Sequence, residues 1–258
     1  MDSIYIALAA VALFAGFFDA IAGGGGLLTL PALFIAGIDP LAAMATNKFQ
    51  ASSASASAVW AFARKRMIDW RADWPMACLS FIGGVTGAMS ISMLDRYVLE
   101  SVVPIMLIAV AAYFAFTPTL SSQERKQRLS SVAFTLAVVP AIGFYDGIFG
   151  PGTGSFFMVA CTLLLGQPLM QAICRSKLLN ACCNLGALTV FACSGAIVWP
   201  LALIMAVSAI IGAQLGARCA LHFGPRLVKP LLIAVCCLMA TKLMLSTGHP
   251  VAQWLHRL

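Results

Sequence analysis

The chain has 258 residues, of which 61% are hydrophobic and only 10% charged, with a mean hydropathy of +0.95. An ordinary soluble domain carries about one-quarter charged residues, so this composition excludes a water-soluble fold and describes an integral membrane protein. The net charge of +7 does not point to nucleic acid, because the basic residues sit in short clusters between apolar runs, where the positive-inside rule expects them.

A helix needs about 20 mostly apolar residues to cross the hydrocarbon, so the length allows about 10 membrane segments (roughly 8–10) and no separate soluble domain. Residues 1–258 therefore read as a single all-α, polytopic transmembrane domain. Apolar stretches fall at about 4–22, 26–37, 42–63, 75–93, 97–116, 132–149, 154–166, 170–193, 198–217 and 227–246. The first has the Ala-Ile-Ala of a signal peptide, but Asp2 and no Lys or Arg precede it, so a retained helix is expected.

The second and seventh stretches, 26–37 and 154–166, correspond to about 18–20 Å of helix against a core of about 30 Å. Each follows a break, GGGG at 23–26 and GPGTG at 150–154. Backbone freed from helix is tolerated at membrane depth only where protein buries it or a wet cavity solvates it, and paired broken segments point to a central binding site. Gly23, Gly24, Gly25, Gly26, Gly150, Gly152, Thr153 and Gly154 are thus candidate substrate-binding residues. Glycine accepts unwound dihedrals and lets backbone N–H groups approach a ligand, and the helix start that follows favours an anion. Gly83, Gly87, Gly212 and Gly216, spaced by four, read instead as close helix contacts.

In the third stretch Lys48 lies about 9 Å deep within ATNKFQA (45–51), and CRSKLLNA (174–181) is its later counterpart. Asn47, Lys48, Gln50, Arg175, Ser176, Lys177 and Asn180 are candidate ligands for an oxyanion, since such groups in apolar surroundings need a partner. Asp19 and Asp146 each precede a break. An unpaired carboxylate there should find a cation, with Lys48, Lys177 or Arg175 as partner. A structural acid is favoured over a proton carrier, because a salt-bridged carboxylate loses its usefulness as a carrier near neutral pH. The run ASSASASAVWAFA (51–63) fits helix packing and pore lining equally.

The solvated stretch 117–131 divides the chain almost in half. GFFDAIAGGG at 16–25 matches GFYDGIFGPG at 143–152, Lys48 matches Lys177, IGGVTGA at 82–88 matches IGAQLGA at 211–217, and Pro104 matches Pro230. Five segments per half make the second copy insert upside down, giving two inverted repeats, 4–116 and 132–246, joined by a cytoplasmic loop at 117–131. Ten of the sixteen Lys and Arg cluster at 64–71, 125–128 and 218–229, which places these loops in the cytoplasm and both termini outside. The nine cysteines lack metal-ligand or CxxC spacing and read as packing residues, no Walker sequence occurs, and neither a cofactor, a metal nor an enzymatic centre is expected.

GFFDAIAGGGGLLTLPAL with ATNK downstream, and GFYDGIFGPGTGSF with SKLLN downstream, resemble the TauE/SafE family of bacterial membrane proteins, the sulfite and organosulfonate exporters, over nearly the whole chain. The resemblance implies export of small sulfur oxyanions such as sulfite, sulfoacetate or another sulfonate across the bacterial inner membrane. The partners expected are the small anion and the lipid bilayer, no nucleic acid, and a homodimer is allowed. One departure is Pro151, which removes a backbone donor from the second break, so the two half-sites cannot bind a ligand identically.

Overall fold

The computed structural model describes residues 2–91 and 126–223, and among these every regular element is helical. The helices are α1 (Asp2–Ala22), α2 (Gly26–Ile35), α3 (Pro40–Arg64), α4 (Trp70–Ile91), α5 (Ser131–Ile148), α6 (Thr153–Leu163), α7 (Leu169–Cys193) and α8 (Trp199–Phe223). The order long, short, long, long occurs twice. The expected segments 97–116 and 227–246, residues 117–125 of the connecting loop and the Pro104/Pro230 match lie outside the described residues.

Local chemistry sets the boundaries. The Asp39 carboxylate accepts the Leu41 and Ala42 amides at 3.0 and 3.4 Å, and Pro40 opens α3 without a missing bond. Asp69 does the same for Arg71 and Ala72 at 3.1 and 3.2 Å, so α4 starts five residues before the expected Pro75. A π-turn at Phe134–Val138 in α5 ends two residues before Pro140, whose ring crowds the preceding turn and whose nitrogen cannot donate.

Among the described residues, five helices are long and apolar enough to cross a membrane: Ser3–Ala22, Trp70–Ile91, Ser131–Ile148, Leu169–Cys193 and Trp199–Leu221. Helix α3 has the length of α7 but falls short in hydropathy, because its serines and Asn47, Lys48 and Gln50 turn inward. Large apolar side chains such as Phe14, Trp60, Trp74, Ile82, Val207 and Ile211 are exposed, as a lipid-facing surface requires.

Glycine seams bring the helices together. Cβ atoms on Gly212 and Gly216 would overlap the Leu13 and Phe17 carbonyls, and one on Gly16 would overlap that of Ala209. On the other side, a Cβ on Gly87 would overlap the Phe144 carbonyl, and one on Gly83 would come 2.6 Å from that of Pro140. The rising register in both seams makes α1 parallel to α8 and α4 parallel to α5. All four glycines expected to serve close packing do so. The serine run resolves in the same direction, since Ser55 donates to the Ala51 carbonyl at 2.7 Å and Ser57 receives Gln214 from α8.

Two hairpins follow from these directions. After Ala22 the chain turns back, so that Gly25 lies beside Ala15 and Asp19. After Ile148 it turns back again, setting Phe156 edge-on to Tyr145 at 5.3 Å. Arg128 and Leu129 donate to the Leu164 carbonyl, and residues 66–69 share a cavity with 167–175, so the loops at 65–69, 126–130 and 164–168 gather at one end of the bundle. The Val198 amide meets Thr46 Oγ1 at 3.1 Å at the other end, where α3 and α8 begin. The α1–α2 and α5–α6 hairpins therefore enter from opposite ends.

Candidate functional site

The tips of the two hairpins meet. Gly23, Gly150 and Gly152 have φ of 82°, 96° and 82°, a left-handed backbone that side chains oppose. A Cβ on Gly23 would overlap the backbone of Gly154 and Ser155, and one on Gly26 would reach Pro151 Cα at 3.3 Å. The Ser155 hydroxyl donates to the Ala22 carbonyl across the junction. Helices α2 and α6 both start here, with Gly25 and Gly152 as N-caps and no side-chain cap on either. The Leu27 and Leu28 amides donate to the Gly24 and Gly25 carbonyls, and those of Thr153 and Ser155 to the Gly150 and Gly152 carbonyls, while the aligned peptide dipoles give each start a partial positive charge.

Lys48 and Lys177 are each the ninth residue of their helices, α3 and α7, about 12 Å from the helix start. Both are 1% exposed. The Lys48 ammonium pairs with Asp146 Oδ2 at 2.9 Å, donates to the Asp146 main-chain carbonyl and donates to Asn184 Oδ1 at 3.3 Å. Lys177 pairs with Asp19 Oδ2 at 3.1 Å, while Asp19 Oδ1 accepts the Gly25 amide at 3.2 Å. Each lysine thus takes the aspartate of the opposite half of the chain. Asp19 both pins a lysine and steadies the turn that follows its own helix.

The other candidates divide. Gly24, Asn47, Gln50 and Asn180 are buried, the last three close to the lysines in sequence. Asn47 Oδ1 accepts the Thr29 hydroxyl at 2.5 Å, and Asn180 accepts Asn184 Nδ2 through its carbonyl and its Oδ1 at 2.8 and 3.1 Å. Ser176 donates to the Ile173 carbonyl at 2.8 Å, and Thr153 to the Gly150 carbonyl at 2.8 Å, so both hydroxyl protons are already engaged.

Arg175 does not join Lys177. Two residues of helix rotate a side chain by about 200°, which sends the guanidinium to the far side of α7. There Nε and Nη2 both lie 2.7 Å from Asp73 Oδ1, in a cavity of about 670 Å³ with Arg66, Asp69, Gln167 and Gln171 in its wall. Asp73, Asn184, Thr29 and Ser155 are among the polar residues that the sequence reading passed over. An amide about two helical turns from a buried lysine was the available signal for Asn184.

A family model described as "Sulfite exporter TauE/SafE" matches residues 8–243. The chain belongs to the TauE/SafE family. It is 42% identical over 244 residues to "Probable membrane transporter protein ORF9" of Sinorhizobium sp, covering 95% of this chain and 94% of the relative. It is 40% identical over 242 residues to a "Probable membrane transporter protein" of Haemophilus influenzae (94% and 93% covered) and 39% identical over 246 residues to "Probable membrane transporter protein YfcA" of Escherichia coli K12 (95% and 91%). No solved structure gives a significant match. This TauE/SafE chain is accordingly a multi-pass membrane protein whose relatives are named as transporters.

Proposed function

We propose that the chain is a secondary transporter that exports a small anion, sulfite, sulfoacetate or a related organosulfonate, across the bacterial inner membrane by alternating access. The observation that carries this reading is the central junction, where two helix starts without side-chain caps and two buried, crossed lysine–aspartate pairs converge on touching glycine tips. Fixed dipoles and ammonium groups with low surrounding polarity suit an anion of a few heavy atoms. The sulfur chemistry comes from the family description alone.

The architecture in this proposal is two inverted repeats, 4–116 and 132–246, joined by the cytoplasmic loop 117–131, with ten segments and both termini in the periplasm. Support comes from the twice-repeated helix order, the hairpins entering from opposite ends, and the crossing of the ion pairs. Rocking of one repeat against the other would expose the junction to each side in turn.

The test is flux of sulfite and methanesulfonate in proteoliposomes, with phosphate and a carboxylate as comparison anions. Saturable counterflow is expected for the sulfur anions; absence of flux for every anion overturns the reading, and single-channel currents would make the protein a channel instead.

A further inference from the structure

The two halves of the chain serve as each other's control. Helices α3 and α7 are both 25 residues long, and their starts, Pro40 and Leu169, lie 129 positions apart, as do those of α4 and α8 at Trp70 and Trp199. The turns after α3 and α7 hold a left-handed residue at the same place, Arg66 with φ 56° and Gly195 with φ 69°. The Arg66 amide donates to the Ala63 carbonyl at 2.9 Å and the Met67 amide to that of Phe62 at 3.2 Å, the helix-ending turn in which glycine is the usual choice. Among the described residues Arg66 is the one side-chain-bearing residue at positive φ, and Gly37, Gly166 and Gly195 fill the other helix-end positions of this kind. An arginine there carries backbone strain that glycine avoids.

The strained residue lines the cavity of about 670 Å³ between the α3–α4 and α6–α7 turns, a volume within the roughly 300–1,000 Å³ of small-molecule sites. Its polar wall belongs to one end of the molecule. At the shift of 129, Arg66, Asp69, Asp73, Gln167, Gln171 and Arg175 correspond to Gly195, Val198, Ala202, Ile38, Ala42 and Thr46. The equivalent helices therefore form without these charges. Replacing a buried ion pair by apolar residues is often neutral for stability, so packing alone does not account for Arg175 and Asp73. The charges are unevenly spent: Asp73 Oδ1 takes Arg175 Nε and Nη2, and Asp69 Oδ1 accepts the Arg71 and Ala72 amides. A guanidinium has five N–H donors. Three on Arg175 and all five on Arg66 have no acceptor among the described residues, and Gln167 Oε1 is enclosed without a donor. Met67, Ile68 and Met170 supply an apolar wall beside them.

We propose that this cavity is a binding site for a soluble organic monoanion, a sulfonate or carboxylate carrying a short apolar body, distinct from the glycine junction. The acid group bridges Arg66 and the outer edge of Arg175, whose forked donors match oxyanions. The apolar body lies on Met67 and Met170, whose flexible thioether chains adapt to it. Asp73 keeps the inner edge of Arg175, so no buried carboxylate is stranded. The site lies across α7 from Lys177, and Arg66 follows a helix that runs about 24 Å beyond Lys48. Because Arg66 and Arg175 come from different halves, an occupant ties the α3–α4 turn to α7. Cavity and junction share no residue, so the site goes beyond the transporter reading and does not depend on it.

The probe is benzenesulfonate, too large for glycine tips in contact, titrated by calorimetry and thermal melting against the full chain in phosphatidylcholine nanodiscs. The parent is expected to bind it roughly tenfold or more tightly than methanesulfonate, because the ring buries more apolar surface, and to leave benzylammonium unbound. Arg66→Gly installs the residue this turn prefers, so it should melt at or above the parent temperature without ligand and bind benzenesulfonate roughly 10- to 100-fold more weakly. Arg71→Gln removes an exposed charge of the same cluster outside the cavity wall, and its affinity should stay within about twofold of the parent. Undiminished affinity in Arg66→Gly, an equal loss in Arg71→Gln, or equal binding of benzylammonium would overturn the site. An Arg66→Gly protein melting well below the parent would make the arginine a structural residue and overturn it too. A response abolished when phosphatidylglycerol replaces phosphatidylcholine would give the cavity to a lipid phosphate instead of a soluble anion.

Discussion

Removing the Lys48 ammonium alone is the sharpest probe of the buried Lys48–Asp146 pair. In Lys48→Met the methionine fills much the same volume, but Asp146, 1% exposed, is left with neither its cation nor a route to water. Breaking a buried pair from one side costs about 3–5 kcal/mol. For a chain of this size about 4 kcal/mol corresponds to a melting shift of roughly 8–16 °C. The assay is thermal unfolding of the purified protein in detergent at pH 7, beside Lys48→Met with Asp146→Leu, which should recover much of the loss because it strands no charge. A single variant as stable as the parent, or a double variant no better than the single, would refute this account of the pair.

Gly23→Ala should cost more than Gly195→Ala although both glycines have positive φ, 82° and 69°: the first Cβ meets the Gly154 backbone and the second nothing within 4 Å. Strain alone is about 1–2 kcal/mol, so Gly195→Ala should melt within a few degrees of the parent and Gly23→Ala should lose most of its folded yield on size-exclusion chromatography. Thr29→Val keeps the shape but strands Asn47 Oδ1, and a loss of about 1–3 kcal/mol is expected in the same melting assay. Arg175→Ala leaves Asp73 unpaired at the edge of the cavity, where water can reach it, and should cost about 1–2 kcal/mol, less than Lys48→Met.

The matched glycine breaks and the lysines downstream were legible because a charged residue or a run of glycines stands out in an apolar chain. Which aspartate each lysine chooses was not legible. Pairing within a half or between halves leaves the same sequence pattern, and the choice is made by α3 packing on α7 while the hairpins arrive from opposite ends. The separation of Arg175 from Lys177 could have been read from the helical angle between them; depth along the axis was counted and direction around it was not. Asp73 stayed hidden because Pro75 reads as a helix start, whereas Asp69 caps α4 earlier and draws Asp73 into its first turn.

Where the hairpins touch at Gly23 and Gly154, main chain rests on main chain with no side chain between. No rotamer can act as the latch at that point, so a path through it requires whole hairpins to slide apart. Such a shutter belongs to the microsecond-to-millisecond class of collective motion rather than to the nanosecond flicker of a gate residue.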